Sequence, residues 1–216
     1  MNFFDSTHKN ICKKHINFLR SIAQGIPERT TSNISNHQFS KEILSKMYYY
    51  YLAQDKYKDW FGRGLKYAGA DYFEDVVAAS LKRFVGSKYK VFVEKSYTFK
   101  RKAKRALQIR PDISVEYKGN PIYVLELKTQ LGRNRIDWKR DWKKRKKQLC
   151  KLLKLSKKKV ILVILTGANW DSNIKLDDDI IILSRLWPEK PLNQLLTQNN
   201  FIGYIEPLYK KILNSK

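Results

Sequence analysis

The segment from Ile109 to Thr129 restricts the fold more than any other part of the chain. Two runs, Ile109 to Tyr117 and Ile122 to Thr129, flank Lys118-Gly119-Asn120-Pro121, a hairpin turn signal. In the first run Ile109, Ile113, Val115 and Tyr117 hold odd positions, and Arg110, Asp112, Ser114 and Glu116 hold even ones. In the second run Tyr123, Leu125 and Leu127 are odd, whereas Glu126 and Lys128 are even. Successive side chains on a strand point to opposite faces, so this alternation predicts a two-stranded antiparallel unit. A three-residue loop, Lys118 to Asn120, pairs Tyr117 with Pro121 and hence Asp112 with Glu126. A slip of one residue would turn each apolar side chain to the wrong face. The apolar pattern and the gathering of Asp112, Glu126 and Lys128 on one face therefore demand the same register.

The flanking segments change period. Phe73, Val77, Leu81 and Phe84 recur at spacings of four, four and three, which predicts a helix over 71–85. Helices are also expected over 9–24, 41–61 and 134–155, with one or two closing helices over 192–213. Lys90 to Phe99, Val160 to Thr166 and Ile180 to Leu183 read as strands, and Pro27 to Ser40 as a polar, breaker-rich loop. The order α-βββ-α-β-β-α after a helical N-terminal region places the chain in the α/β class. We divide it into residues 1–68, a helical region for dimerisation or DNA recognition, and residues 69–216, the core with its C-terminal helices.

Charge narrows the partners. Lys and Arg number 44 against 20 Asp and Glu, a net +24. So large an excess calls for a polyanion, with nucleic acid first and an anionic membrane second. The longest apolar runs, such as Val160 to Leu165, are too short to cross a bilayer, so no membrane partner is expected. Met1 to Lys14 carries no apolar segment of the secretory kind. The 3 histidines all precede residue 40 and the 2 cysteines, Cys12 and Cys150, stand far apart. That excludes His-Asn-His and His-Lys nuclease chemistry and Cys-rich zinc sites from the main body. No Walker loop is present, so no nucleotide cofactor is expected. Catalysis in this chain would use carboxylates, lysine and a hard metal ion.

Asp112 and Glu126 supply the carboxylates. Their convergence at a strand end suits Mg²⁺, which prefers oxygen ligands, with Mn²⁺ as a substitute. Lys128 beside them can orient a water and stabilise charge on phosphoryl oxygens, as hydrolysis of a phosphodiester requires.

Pro111-Asp112, followed after 13 residues by Glu126-Leu127-Lys128, resembles the PD-(D/E)-x-K nuclease motif. The resemblance spans roughly residues 70 to 166. It implies a restriction-endonuclease-like core, with a mixed central sheet flanked by helices. It also implies a helical carboxylate, for which Glu74 is the best match and Asp71 and Asp75 are rivals, and a metal-ligating backbone carbonyl at Leu127. Gln148 matches a glutamine of some relatives, but Leu152 stands where their tyrosine falls. The resemblance is strongest to type II restriction endonucleases, which implies double-strand DNA cleavage by a homodimer in a prokaryotic cytoplasm. Junction-resolving and repair nucleases share the core, and a non-catalytic DNA-binding module is the reading from a different class.

Other segments carry less. Glu116-Tyr117-Lys118 also fits Glu-x-Lys, but Asp112 lies too close to it and Lys118 falls in the turn. Arg133, Arg135, Lys139, Arg140, Lys143, Lys144 and Lys147 form a basic surface for phosphates, with Trp138, Trp142, Leu149, Leu152 and Leu153 as its buried stripe. Arg101, Arg105 and Arg110 form a second cluster before Asp112. Tyr48 to Tyr51 reads as half core and half surface, and Asp177 to Asp179 as a turn.

Overall fold

In a computed structural model of the chain, the structure describes residues 37–62, 69–101, 104–130, 137–167, 177–188 and 190–215. The helix expected over 9–24 lies outside the described residues.

Helix α1 (Gln38–Phe61) is followed by α2 (Ala70–Val85). The stripe that predicts α2 is its buried face: Phe73, Val77 and Leu81 are wholly buried and Phe84 nearly so. Gly69 sits at the α2 N-terminus with φ of 74°, where a β-carbon would lie 2.8 Å from the Tyr50 ring. Tyr50 in turn stacks on Tyr72, with ring centroids 4.6 Å apart. Phe39, Ile43, Leu44 and Met47 of α1 share one apolar core with α2 and with the last helix, α5 (Glu206–Leu213). Ser40 locks this junction, its N–H and hydroxyl each donating to the Glu206 carboxylate at 2.8 and 2.6 Å.

The strands are β1 (Lys90–Val93), β2 (Tyr97–Arg101), β3 (Lys104–Ile109), β4 (Ile113–Tyr117), β5 (Asn120–Gln130), β6 (Val160–Thr166) and β7 (Ile180–Ser184). Five of them form one mixed sheet in the order β1-β4-β5-β6-β7. β1, β4 and β5 are antiparallel neighbours, and β5, β6 and β7 run parallel. Helix α3 (Asp137–Leu153) connects β5 to β6, since parallel neighbours require a crossover. Its Trp138, Trp142, Leu149 and Leu153 cover Val124, Leu162, Ile164 and Ile182 on one face of the sheet. Helices α1, α2 and α5 cover Leu125, Leu127, Val163 and Leu165 on the other. With both faces covered, β6 reads as the unbroken apolar run Val160–Thr166, buried throughout. The chain is thus a mixed α/β protein, with its sheet flanked by helices. Among the described residues no helix is long and apolar enough to cross a membrane.

Three details differ from expectation. Lys90 to Phe99 is two strands, because the chain turns at Glu94, whose φ is 50°. β2 then leaves the main sheet and pairs with β3 in a separate two-stranded sheet. Ile109 to Tyr117 is interrupted at residues 110–112, where Pro111 has no N–H to give a ladder. The hairpin turn has two residues rather than three: Lys118 and Gly119 take φ of 50° and 80°, the pattern of a type I′ turn. Tyr117 therefore pairs with Asn120 and Glu116 with Pro121. A bulge then absorbs Ile122, and from Val115↔Tyr123 to Ile113↔Leu125 the strands keep the predicted register. The closing segment holds two helices, α4 (Leu192–Leu195) and α5, within the one or two expected.

Candidate active site

Extending the Ile113↔Leu125 register by one residue sets Asp112 opposite Glu126, and extending Val93↔Ile113 sets Glu94 opposite Asp112. Three acidic residues thus stand in a row across β1, β4 and β5. The chain bends out of the ladder at Asp112, which frees its carboxylate to accept the Leu127 N–H at 2.6 Å. The Asp112 carbonyl accepts the Glu94 N–H at 2.8 Å, so its backbone and side chain tie it to both neighbouring strands. The register sets Leu127 opposite Pro111, a residue with no N–H to offer a carbonyl.

Glu126 is held from the other side. Arg145 of α3 donates through Nε at 3.0 Å and Nη2 at 2.9 Å to the two Glu126 oxygens. Its Nη2 also donates to the Arg110 carbonyl at 2.7 Å. One guanidinium thus joins the strand carrying Glu126 to the segment leading into Asp112.

The electrostatics follow from burial and crowding. Burial pushes the Asp112 carboxyl above its ordinary value, opposed by the Leu127 N–H and by the charges of Arg145 and Lys128. Burial does the same to Glu126, opposed chiefly by the Arg145 hydrogen bonds. Glu74, near the start of α2, is pushed up to about 7, by burial first and then by Asp112, Glu94, Asp71 and Asp75. Glu74 therefore lies within electrostatic reach of Asp112. Lys128 is exposed, and its charge acts on both Asp112 and Glu126.

The donor set fits a magnesium-like ion. Asp112, Glu126 and the Leu127 carbonyl are hard oxygen donors, and their crowding is the charge a divalent cation relieves. Among the described residues no cluster of three or more His, Cys, Asp and Glu side chains forms a ready-made cage. Mg²⁺ is commonly held by one or two carboxylates together with substrate phosphates, so a cage is not required. Glu126 would have to share its oxygens between the ion and Arg145.

Of the basic residues singled out in the sequence, Arg110 reaches this centre, whereas Arg140, Lys143, Lys144 and Lys147 are exposed away from it. Along α3, at about 100° per residue, Arg145 shares the inward side with Trp138, Trp142 and Leu149. Lys143, Lys144, Lys147 and Arg140 are exposed on the opposite side, facing away from the sheet. Lys139 lies over the Trp138 ring at 5.8 Å. Arg110 is exposed and pairs with Glu94 at 3.1 Å. Arg133 and Arg135, and the side chains of Arg101 and Arg105, lie outside the described residues. Asp179 does more than turn the chain: its Oδ2 accepts Trp142 Nε1 at 2.9 Å and pairs with Lys146 at 2.5 Å, anchoring α3 over β7. The alternative Glu-x-Lys is structural, since Glu116 is buried against Lys95 at 2.5 Å and the Tyr97 hydroxyl at 2.7 Å.

Two residues of the centre are not assigned to it by the sequence reading: Glu94, and Arg145, which reads there only as one of the many α3 cations. Arg145 has a signal: it is the cation that interrupts the inward stripe Trp138, Trp142, Leu149. Glu94 has none, because nothing local foretells a left-handed glutamate at the end of β1. No protein-family model, no curated protein and no solved structure matches this chain.

Proposed function

We propose that the chain is a Mg²⁺-dependent endonuclease of the PD-(D/E)-x-K class, with a restriction-endonuclease-like core, that hydrolyses phosphodiester bonds in double-stranded DNA. The observation that carries this reading is the joining of Asp112 to the Glu126-Leu127-Lys128 strand, with Asp112 accepting the Leu127 N–H at 2.6 Å. Asp112, Glu126 and the Leu127 carbonyl would hold the ion, which would supply charge neutralisation at the phosphoryl group. Lys128 orients the attacking water. Glu74, whose carboxyl is pushed up to about 7 in part by Asp112, would assist at the same centre. The net charge of +24 favours a polyanionic substrate.

Within this class we assign the protein to site-specific cleavage by a homodimer, as in type II restriction endonucleases. The test is incubation with plasmid and with a synthetic four-way junction in Mg²⁺, with sequencing of the ends. Discrete plasmid fragments with a common terminal sequence support the assignment. Cutting confined to the junction moves the protein to the structure-specific branch of the same class.

A further inference from the structure

Arg145 carries five N–H donors, as every arginine does. Three are engaged: Nε–H and one Nη2–H by Glu126, and the second Nη2–H by the Arg110 carbonyl. Among the described residues no acceptor meets Nη1. The side chain is 32% exposed, whereas Glu126 beside it is 14% exposed. The guanidinium is therefore clamped along one edge and open along another, at the mouth of the carboxylate cluster. Its orientation is set before any ligand arrives, so little side-chain entropy remains to be lost on binding.

An uncommitted pair of guanidinium donors held rigidly beside acidic groups needs an anion that brings several oxygens. A carboxylate ligand would meet Asp112, Glu94 and Glu74 with like charge. A phosphodiester bound through a divalent cation would not, because the cation neutralises those groups. We infer that Arg145 is a substrate-binding residue: its Nη1 takes a non-bridging oxygen of the DNA phosphate at the cleaved linkage while its Nε and Nη2 keep Glu126 in place. This rests on the nuclease reading and adds to it a residue outside the Asp-Glu-Lys motif. It also explains why a cation interrupts the buried stripe of α3. An alanine there would leave Glu126 half-buried without a counter-ion, and an apolar residue would leave the phosphate without a fixed donor.

The experiment measures binding of a short DNA duplex against salt concentration, by fluorescence anisotropy, with Ca²⁺ in place of Mg²⁺ to fill the carboxylate site while preventing cutting. Loss of one phosphate contact lowers the slope of log K against log salt by about 1. Arg145→Ala is expected to show that fall, and Arg145→Lys, which retains the charge, is expected to restore the slope. In the otherwise unaltered enzyme Arg145→Lys is expected to lose cleavage by about 100-fold, since a lysine cannot clamp Glu126 and reach a phosphate together. Should Arg145→Ala fail to fold, Arg145→Gln, which keeps an N–H donor toward Glu126 but not the charge, reads the same slope. An unchanged slope in a folded variant, or full cleavage by Arg145→Lys, overturns the assignment. Absence of cleavage by the unaltered protein is a different result and rejects the nuclease reading itself.

Discussion

The carboxylate of Asp112 accepts the backbone N–H of Leu127 at 2.6 Å. The bond forms where β4 has ended and β5 continues, so a side chain takes the place of a missing ladder partner. It fixes the acid of one strand against the Glu126-Leu127-Lys128 run of the next, and the account of this site depends on it.

The two Glu-x-Lys triplets of the hairpin should separate cleanly by function. Glu116 is buried in a pair with Lys95 and the Tyr97 hydroxyl, away from Asp112. Glu116→Gln is expected to destabilise the fold by about 1–3 kcal/mol, the cost of weakening a buried charged hydrogen bond, and to leave the cleavage rate per folded molecule intact. Glu126→Gln is expected to lower cleavage by at least about 100-fold with a smaller effect on stability. Urea melts and cleavage assays on both variants check this.

Glu74 gives a pH signature. Its folded pKa is about 7, raised from 4.5, so between those values the folded state binds more protons than the unfolded chain. Stability contributed at Glu74 is therefore present at low pH and lost as pH rises through that window. Asp112 and Glu126 are raised too and act in the same direction. Thermal melts from pH 5 to 8 are expected to fall less steeply for Glu74→Gln than for the parent. Mg²⁺ is expected to raise the melting temperature more at pH 8 than at pH 6, because ionised carboxylates bind it.

Much of this site is legible in the sequence for one physical reason. Period-two alternation fixes which face each side chain takes, and a slip is ruled out because it would expose Val115 and Leu125 together. The pairing that sets Asp112 opposite Glu126 therefore survives an error in the turn, where a type I′ geometry and a bulge at Ile122 replace the expected loop. The α2 stripe is equally readable, since Phe73, Val77, Leu81 and Phe84 lie within one helix. What escapes is non-local. The split of the first strand depends on β2 finding β3, and the Arg145–Glu126 pair joins residues on different elements. By contrast, the cationic outer face of α3 is local and legible, since Lys143, Lys144 and Lys147 are exposed opposite the buried Trp138, Trp142 and Leu149.

The placement of α3 rests on Asp179 as well as on apolar packing. Asp179→Ala would leave the Trp142 Nε1–H and the Lys146 ammonium without their carboxylate. The expected cost is about 1–3 kcal/mol in a urea melt, with a secondary loss of activity because Arg145 rides on the same helix.

Two glycines should differ in tolerance. Gly119→Ala pays only for a left-handed backbone, about 1–2 kcal/mol, because nothing lies within 4 Å of a β-carbon there. Gly69→Ala meets the same backbone cost and also drives a methyl to 2.8 Å from the Tyr50 ring. Gly69→Ala is expected to be the more destabilising of the two in parallel denaturation curves.

Asp112 and its strand partners are proposed to hydrolyse DNA. The most direct measurement is cleavage of supercoiled plasmid by the purified protein in Mg²⁺, beside Asp112→Asn and an EDTA control. Asp112→Asn retains an oxygen able to accept the Leu127 N–H, so its fold should be kept while its metal-binding charge is lost. Cutting is expected from the parent protein and none in either control, with DNA binding undiminished in Asp112→Asn. Equal cutting by parent and Asp112→Asn, or binding without cutting by the parent in Mg²⁺ and in Mn²⁺, would contradict that proposal.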